Sequence, residues 1–210
     1  MVNLSLVFVI FLMLSGCEEL TNQTPPTFIP STSGSTVTSG TTQPGEPIKK
    51  YIDVAWKDLP EAHVWNKYLD DAMVNIPDTT SIKTPCKVLP LKPCAKQLLS
   101  IIAKRESNFK TDTKFEEGGH LEGVTSRGLF QISKDSANQS AYGCSITNAQ
   151  QLHDPNTNIK CAVKILAYQA KKTGTLIDGA KGGCGAYFSV CRDKPGKGSY
   201  EVIMDYMSQF

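Results

Sequence analysis

Lysine and arginine are absent from the first 47 residues of this 210-residue chain. All 22 basic side chains lie beyond that point, with 17 of the 20 acidic ones, so a formal net charge of +2 becomes +5 for residues 48–210. A mildly basic surface suits an anionic polymer such as a cell wall. No Lys/Arg-rich run interleaved with aromatics occurs, which argues against nucleic-acid binding. No apolar run reaches the roughly 20 residues a spanning helix requires. No Cys-x-x-Cys pair is present, and His63, His120 and His153 lie far apart, so neither a zinc site nor any other metal or cofactor is expected. No internal repeat is found.

What the chain does contain starts with residues 2–14, which are almost wholly apolar and lead into Leu14-Ser15-Gly16-Cys17. The run is too short to span a membrane and fits a signal-peptide core. Leu-Ser-Gly-Cys resembles the bacterial lipobox, although the segment before it has no Lys or Arg. The resemblance implies cleavage before Cys17 and a lipid on its sulfur. Glu18 is not the aspartate that retains such proteins at the inner membrane. The expectation is an outer-membrane lipoprotein facing the periplasm; the plainer reading is secretion. Residues 17–47 are rich in Ser, Thr, Pro and Gly, cannot bury enough apolar surface to order themselves, and read as a tether. Residues 48–210 are long enough for one domain with a core, expected to be monomeric. Six cysteines remain there. Neighbour pairing would give Cys86–Cys94, Cys144–Cys161 and Cys184–Cys191, consistent with an oxidising compartment.

Periodicity predicts a helix over 61–74 and a second over 95–106, with Leu98, Leu99, Ile101 and Ile102 as its buried stripe. Between them lies a proline-studded loop, 77–93. Residues 111–125 are polar and glycine-rich and read as loop or short strands. Asp154-Pro155 predicts a helix start, with Asp as cap and Pro in the first turn. Ser199 is a candidate cap for the last helix. Trp56 and Trp65 read as packing residues. The fold class expected is mainly α, with a small irregular or β lobe after residue 106.

The second helix runs its apolar stripe into Glu106 and then stops at Ser107-Asn108. A carboxyl at a helix end with hydrocarbon behind it is partly desolvated, which raises its pKa and leaves it able to donate a proton near neutrality. Cleavage of a glycosidic bond needs such an acid.

Four segments in order resemble the lysozyme-like superfamily, nearest to the soluble lytic transglycosylase catalytic domain, with goose-type lysozymes as relatives. They are Glu106-Ser107-x-Phe109, Ser126-x-Gly128-Leu129-Phe130-Gln131-Ile132, Leu152-x-Asp154-Pro155-x-x-Asn158-Ile159 and Gly185-Ala186-Tyr187. Phe188 departs from the pattern, where the family has Asn. The resemblance implies an α+β lysozyme-like fold and cleavage of the β-1,4 bond between N-acetylmuramic acid and N-acetylglucosamine in peptidoglycan. Glu106 would be the acid. In a transglycosylase the same carboxylate then deprotonates the muramyl 6-hydroxyl, giving a 1,6-anhydro end. In a lysozyme water attacks and a second carboxylate assists. Asp112, Glu116, Glu117 and Glu122 are candidates for it. Glu116 and Glu117 are adjacent, so at most one points inward from an extended chain, and Glu117 is slightly favoured.

Spare carboxylates lean the reading toward hydrolysis, and toward N-deacetylated glycan, whose free ammonium they would attract. Ser126, Gln131 and Tyr187 are candidate substrate-binding residues. Loss of the amide at Phe188 also keeps a different class in view, a wall-binding module without catalysis.

Overall fold

The computed structural model describes residues 56–193 and 198–210. The signal segment 1–16, the tether 17–47 and lipidation at Cys17 lie outside the described residues. Five α-helices are described: α1 (Ala62–Ala72), α2 (Leu91–Ser107), α3 (Lys134–Ala137), α4 (Pro155–Thr173) and α5 (Ser199–Met207). An antiparallel three-stranded sheet, β1 (Lys114–Glu116), β2 (Thr125–Arg127) and β3 (Ile132–Ser133), forms the lobe after α2. A two-stranded ribbon, β4 (Ile177–Asp178) and β5 (Gly182–Gly183), follows α4. The architecture is α+β and lysozyme-like.

Helix α1 packs on α4, and α5 on α2. Leu98, Leu99 and Ile102 of α2 share a fully buried core with Ile159, Val163 and Leu166 of α4. Each such side chain contributes about 1.5–3 kcal/mol relative to exposure. The expected stripe on α2 is thus its core face.

Helix α2 starts four residues earlier than the periodicity predicts and takes Pro93 into its first turn. First-turn N–H groups have no intrahelical acceptor, so a proline there forfeits no hydrogen bond. The other end stops at Asn108, which is left-handed at φ 52°, and Phe109 is left-handed too at φ 65°. Left-handed backbone costs roughly 1–2 kcal/mol per residue for side chains other than glycine. Burial of the Phe109 ring offsets it. That ring lies edge-on 5.9 Å from Trp56, which is 5.1 Å from Trp65, so both tryptophans are packing residues.

Asp154 caps α4 as expected, accepting from the Thr157 N–H at 2.8 Å. Ser199 does not cap α5. Gly198 holds the cap position, and the Ser199 hydroxyl accepts from Arg105 at 2.9 Å.

A buried amide ties the sheet lobe to the helical body. The Asn158 oxygen accepts from the Phe130 N–H at 2.9 Å, and its nitrogen donates to the carbonyls of Leu152 at 2.8 Å and Arg127 at 3.1 Å. Gly128 lets the chain approach this closely. At φ 76° a Cβ there would sit 2.0 Å from the Leu152 carbonyl oxygen.

The disulfides Cys86–Cys94, Cys144–Cys161 and Cys184–Cys191 are formed.

Candidate active site

A groove of about 910 Å³ runs between the sheet lobe and the helical body. Glu106, Glu117, Ser126, Gln131 and Tyr187 all line it. Glu106 comes from the last turn of α2, where the core stripe meets the groove. Burial pushes its carboxyl up to about 7, helped by the negative charge of Glu117. A hydrogen bond from the Val190 backbone and the nearby Arg192 guanidinium pull in the other direction without cancelling it. The carboxyl therefore keeps its proton further toward neutrality than an ordinary glutamate does and can donate it there.

Glu117 follows β1. Its backbone N–H donates to the Val124 carbonyl at 2.8 Å, and its carboxylate accepts from the Ser126 hydroxyl at 2.6 Å. Glu116 faces the other side, exposed, with its carboxylate accepting from Thr125 at 2.7 Å. Of the adjacent pair, only Glu117 reaches the groove. Asp112 and Glu122 are also exposed and outside its lining.

The other candidates occupy supporting places. Ser126 is buried, with its hydroxyl hydrogen committed to Glu117. Gln131 donates to the carbonyls of Gly128 at 2.7 Å and Thr113 at 3.1 Å, bracing the lobe. Tyr187 lies edge-on to Tyr142 at 5.7 Å and to Phe188 at 4.9 Å. Burial pushes the Tyr187 phenol well above its ordinary range, and a Ser136 hydrogen bond opposes this. Phe188 is core, 2% exposed, with its ring 6.2 Å from Phe130. A buried ring replaces a polar amide at this position.

Three contributors escape sequence reasoning. Arg192 is held by the carbonyls of Gly185 at 3.0 Å and Tyr187 at 3.1 Å. Val190 contributes only a backbone group. Both sit on or beside the loop that the Cys184–Cys191 bridge closes. Asp135, at the start of α3, adds a third carboxylate to the groove wall. Among the described residues no cluster of three His, Cys, Asp or Glu side chains forms a metal site.

The family model described as Transglycosylase SLT domain matches residues 92–187, from the first turn of α2 to Tyr187. A solved structure, DslA wild-type form 2, is 30% identical and superposes with a TM-score of 0.58, covering 72% of this chain and 92% of that one. Two single glutamate-to-glutamine variants of DslA match over the same spans at 31% and 29% identity, each with a TM-score of 0.58. No curated protein matches the chain. A carboxyl with a raised pKa at the helix end, in a groove between body and lobe, coincides with these matches: the chain belongs to the SLT family of the lysozyme-like superfamily, whose domains cleave the glycosidic bonds of peptidoglycan.

Proposed function

We propose that this protein is a muramidase that hydrolyses the β-1,4 bond between N-acetylmuramic acid and N-acetylglucosamine. Glu106 protonates the leaving glycosidic oxygen. The anomeric carbon is then taken either directly by water, with Glu117 as base on the opposite face, or first by the Glu117 carboxylate, in a covalent glycosyl ester that water afterwards hydrolyses. The observation that carries the reading is the pair itself. One carboxyl is raised to about 7 by burial, while the second, on the lobe across the groove, is held by a hydrogen bond from Ser126. Two carboxyls in different environments match the division of labour between acid and second carboxylate. The DslA variants add support, since their two substituted glutamates are eleven residues apart, as are Glu106 and Glu117.

We also propose a preference for N-deacetylated glycan. A second carboxylate makes the substrate's acetamido group dispensable, and Glu117 with Asp135 would attract a free ammonium. The family's name favours the alternative of lytic transglycosylation, in which Glu106 deprotonates the muramyl 6-hydroxyl and needs no second carboxylate. Lipidation at Cys17, outer-membrane placement and a monomeric state complete the proposal.

Mass spectrometry of a purified wall digest tests the chemistry. Reducing muramic acid ends are expected, and anhydromuramyl ends would overturn hydrolysis. Glu106→Gln should lose about 10²–10⁴-fold in kcat. Faster cutting of acetylated than of chemically deacetylated wall would remove the amine preference.

A further inference from the structure

Four large apolar side chains stand out as exposed among the described residues: Val74, Val88, Phe115 and Leu121. The last two line the groove, at 59% and 43% exposure. Single exposed apolar residues are ordinary on protein surfaces. The placement of Phe115 is not, because the register of the lobe aims it. Phe115 pairs directly opposite Ser126, and residues opposite each other in an antiparallel pair share a face. Glu117 lies two residues further along and emerges on that face as well. The Ser126–Glu117 hydrogen bond shows that this is the groove side, while Glu116 and Thr125 meet on the other. An uncovered aromatic ring therefore stands beside the second carboxylate.

Such a ring suits a sugar. A pyranose presents C–H bonds on its faces, which pack against the electron-rich face of an aromatic. A phenylalanine loses little rotational freedom when it is covered. We propose that Phe115, flanked by Leu121, is a stacking platform that seats a pyranose ring of the glycan strand against the lobe wall next to Glu117. It is a specificity-determining residue for extended strands, and it rests on the carbohydrate-cleaving reading above.

The test uses the full chain with Phe115→Ala, Phe115→Leu and Phe115→Trp, each also made in the Glu106→Gln background. Thermal midpoints should match the parent, since the side chain is mostly in solvent. For wall digestion, Phe115→Ala should raise KM about tenfold with little change in kcat, which is the pattern of lost uniform binding. Phe115→Trp should restore KM and Phe115→Leu should not. In the Glu106→Gln background, co-sedimentation with insoluble wall should weaken by the same factor in Phe115→Ala. Unchanged KM and unchanged sedimentation in Phe115→Ala would overturn the platform while leaving Glu106 as the acid. Full rescue by leucine would overturn stacking, as would a fall in kcat at constant KM. A wild-type protein inert on every wall whose sedimentation still depended on Phe115 would overturn the hydrolase reading and keep the platform.

Discussion

The Ser126 hydroxyl donates to the Glu117 carboxylate at 2.6 Å, across the β1–β2 pair. A glutamate side chain has three rotatable bonds, and this contact restricts them on the groove wall. With Glu117 as the proposed second carboxylate, this assigns Ser126 a positioning role. Ser126→Ala should lower kcat about tenfold with KM nearly unchanged, and Ser126→Thr should recover most of the loss. Steady-state kinetics on soluble glycan fragments checks this. An equal loss in the threonine variant would assign the effect to packing.

The alkaline limb of the pH–activity profile should lie near 7, where Glu106 loses its proton. Two substitutions should move it in opposite directions. Glu117 raises the Glu106 pKa and Arg192 lowers it. Glu117→Gln should shift the residual activity's limb to lower pH, and Arg192→Met should shift it to higher pH. Shifts of the same sign would contradict the charge arrangement. The profile of kcat/KM for each variant supplies the comparison.

The raised carboxyl has a thermodynamic signature. Glu106 binds its proton more tightly folded than unfolded, with a pKa of about 7 against 4.5. Between those values the native state holds more protons, so stability falls as pH rises through the window. The loss amounts to about 3 kcal/mol when complete, since each pKa unit corresponds to about 1.4 kcal/mol. Glu106→Gln should abolish that loss. Its thermal midpoint should approach the parent's at pH 4 and exceed it at pH 8. Calorimetry at the two pH values decides the matter, and a variant less stable at pH 8 would refute it.

Cys184–Cys191 closes the loop that brings Val190 and Arg192 to Glu106. Replacing both cysteines by alanine should cost about 2 kcal/mol from the short loop alone. Both contacts lower the Glu106 pKa, so loosening them should also move the alkaline limb upward. Removing Cys86–Cys94, which lies outside the groove lining, should cost stability and leave the limb in place. Chemical denaturation and pH profiles separate the two effects.

The legible parts of this chain were those decided locally. The α2 stripe, the Asp154 cap and the exposed end of a core helix at Glu106 follow from neighbours three or four residues away. Alternation alone implies that Glu116 and Glu117 cannot both face inward. Choosing Glu117 required the pairing of β1 with β2, which is a long-range fact. Ser199 has the residue type of a cap, yet helix α5 begins at that residue and Gly198 holds the position. Arg192 carried no motif, being held by two backbone carbonyls rather than by a side-chain partner. Val190 acts through an amide that every residue but proline possesses, so no residue-type pattern marks it.

Glu106 belongs to the helical body and Glu117 to the sheet lobe, and the two pieces are stapled by Asn158. The separation of the two carboxyls thus depends in part on a third residue, which lines no part of the groove. In two-carboxyl glycosidases that gap sorts stereochemistry, because a wide one admits water between sugar and base and a narrow one forces a covalent bond. The outcome written on the product's anomeric carbon would then be calibrated at a joint remote from the reacting atoms. A lineage could retune it by loosening one amide, with both carboxylates left untouched.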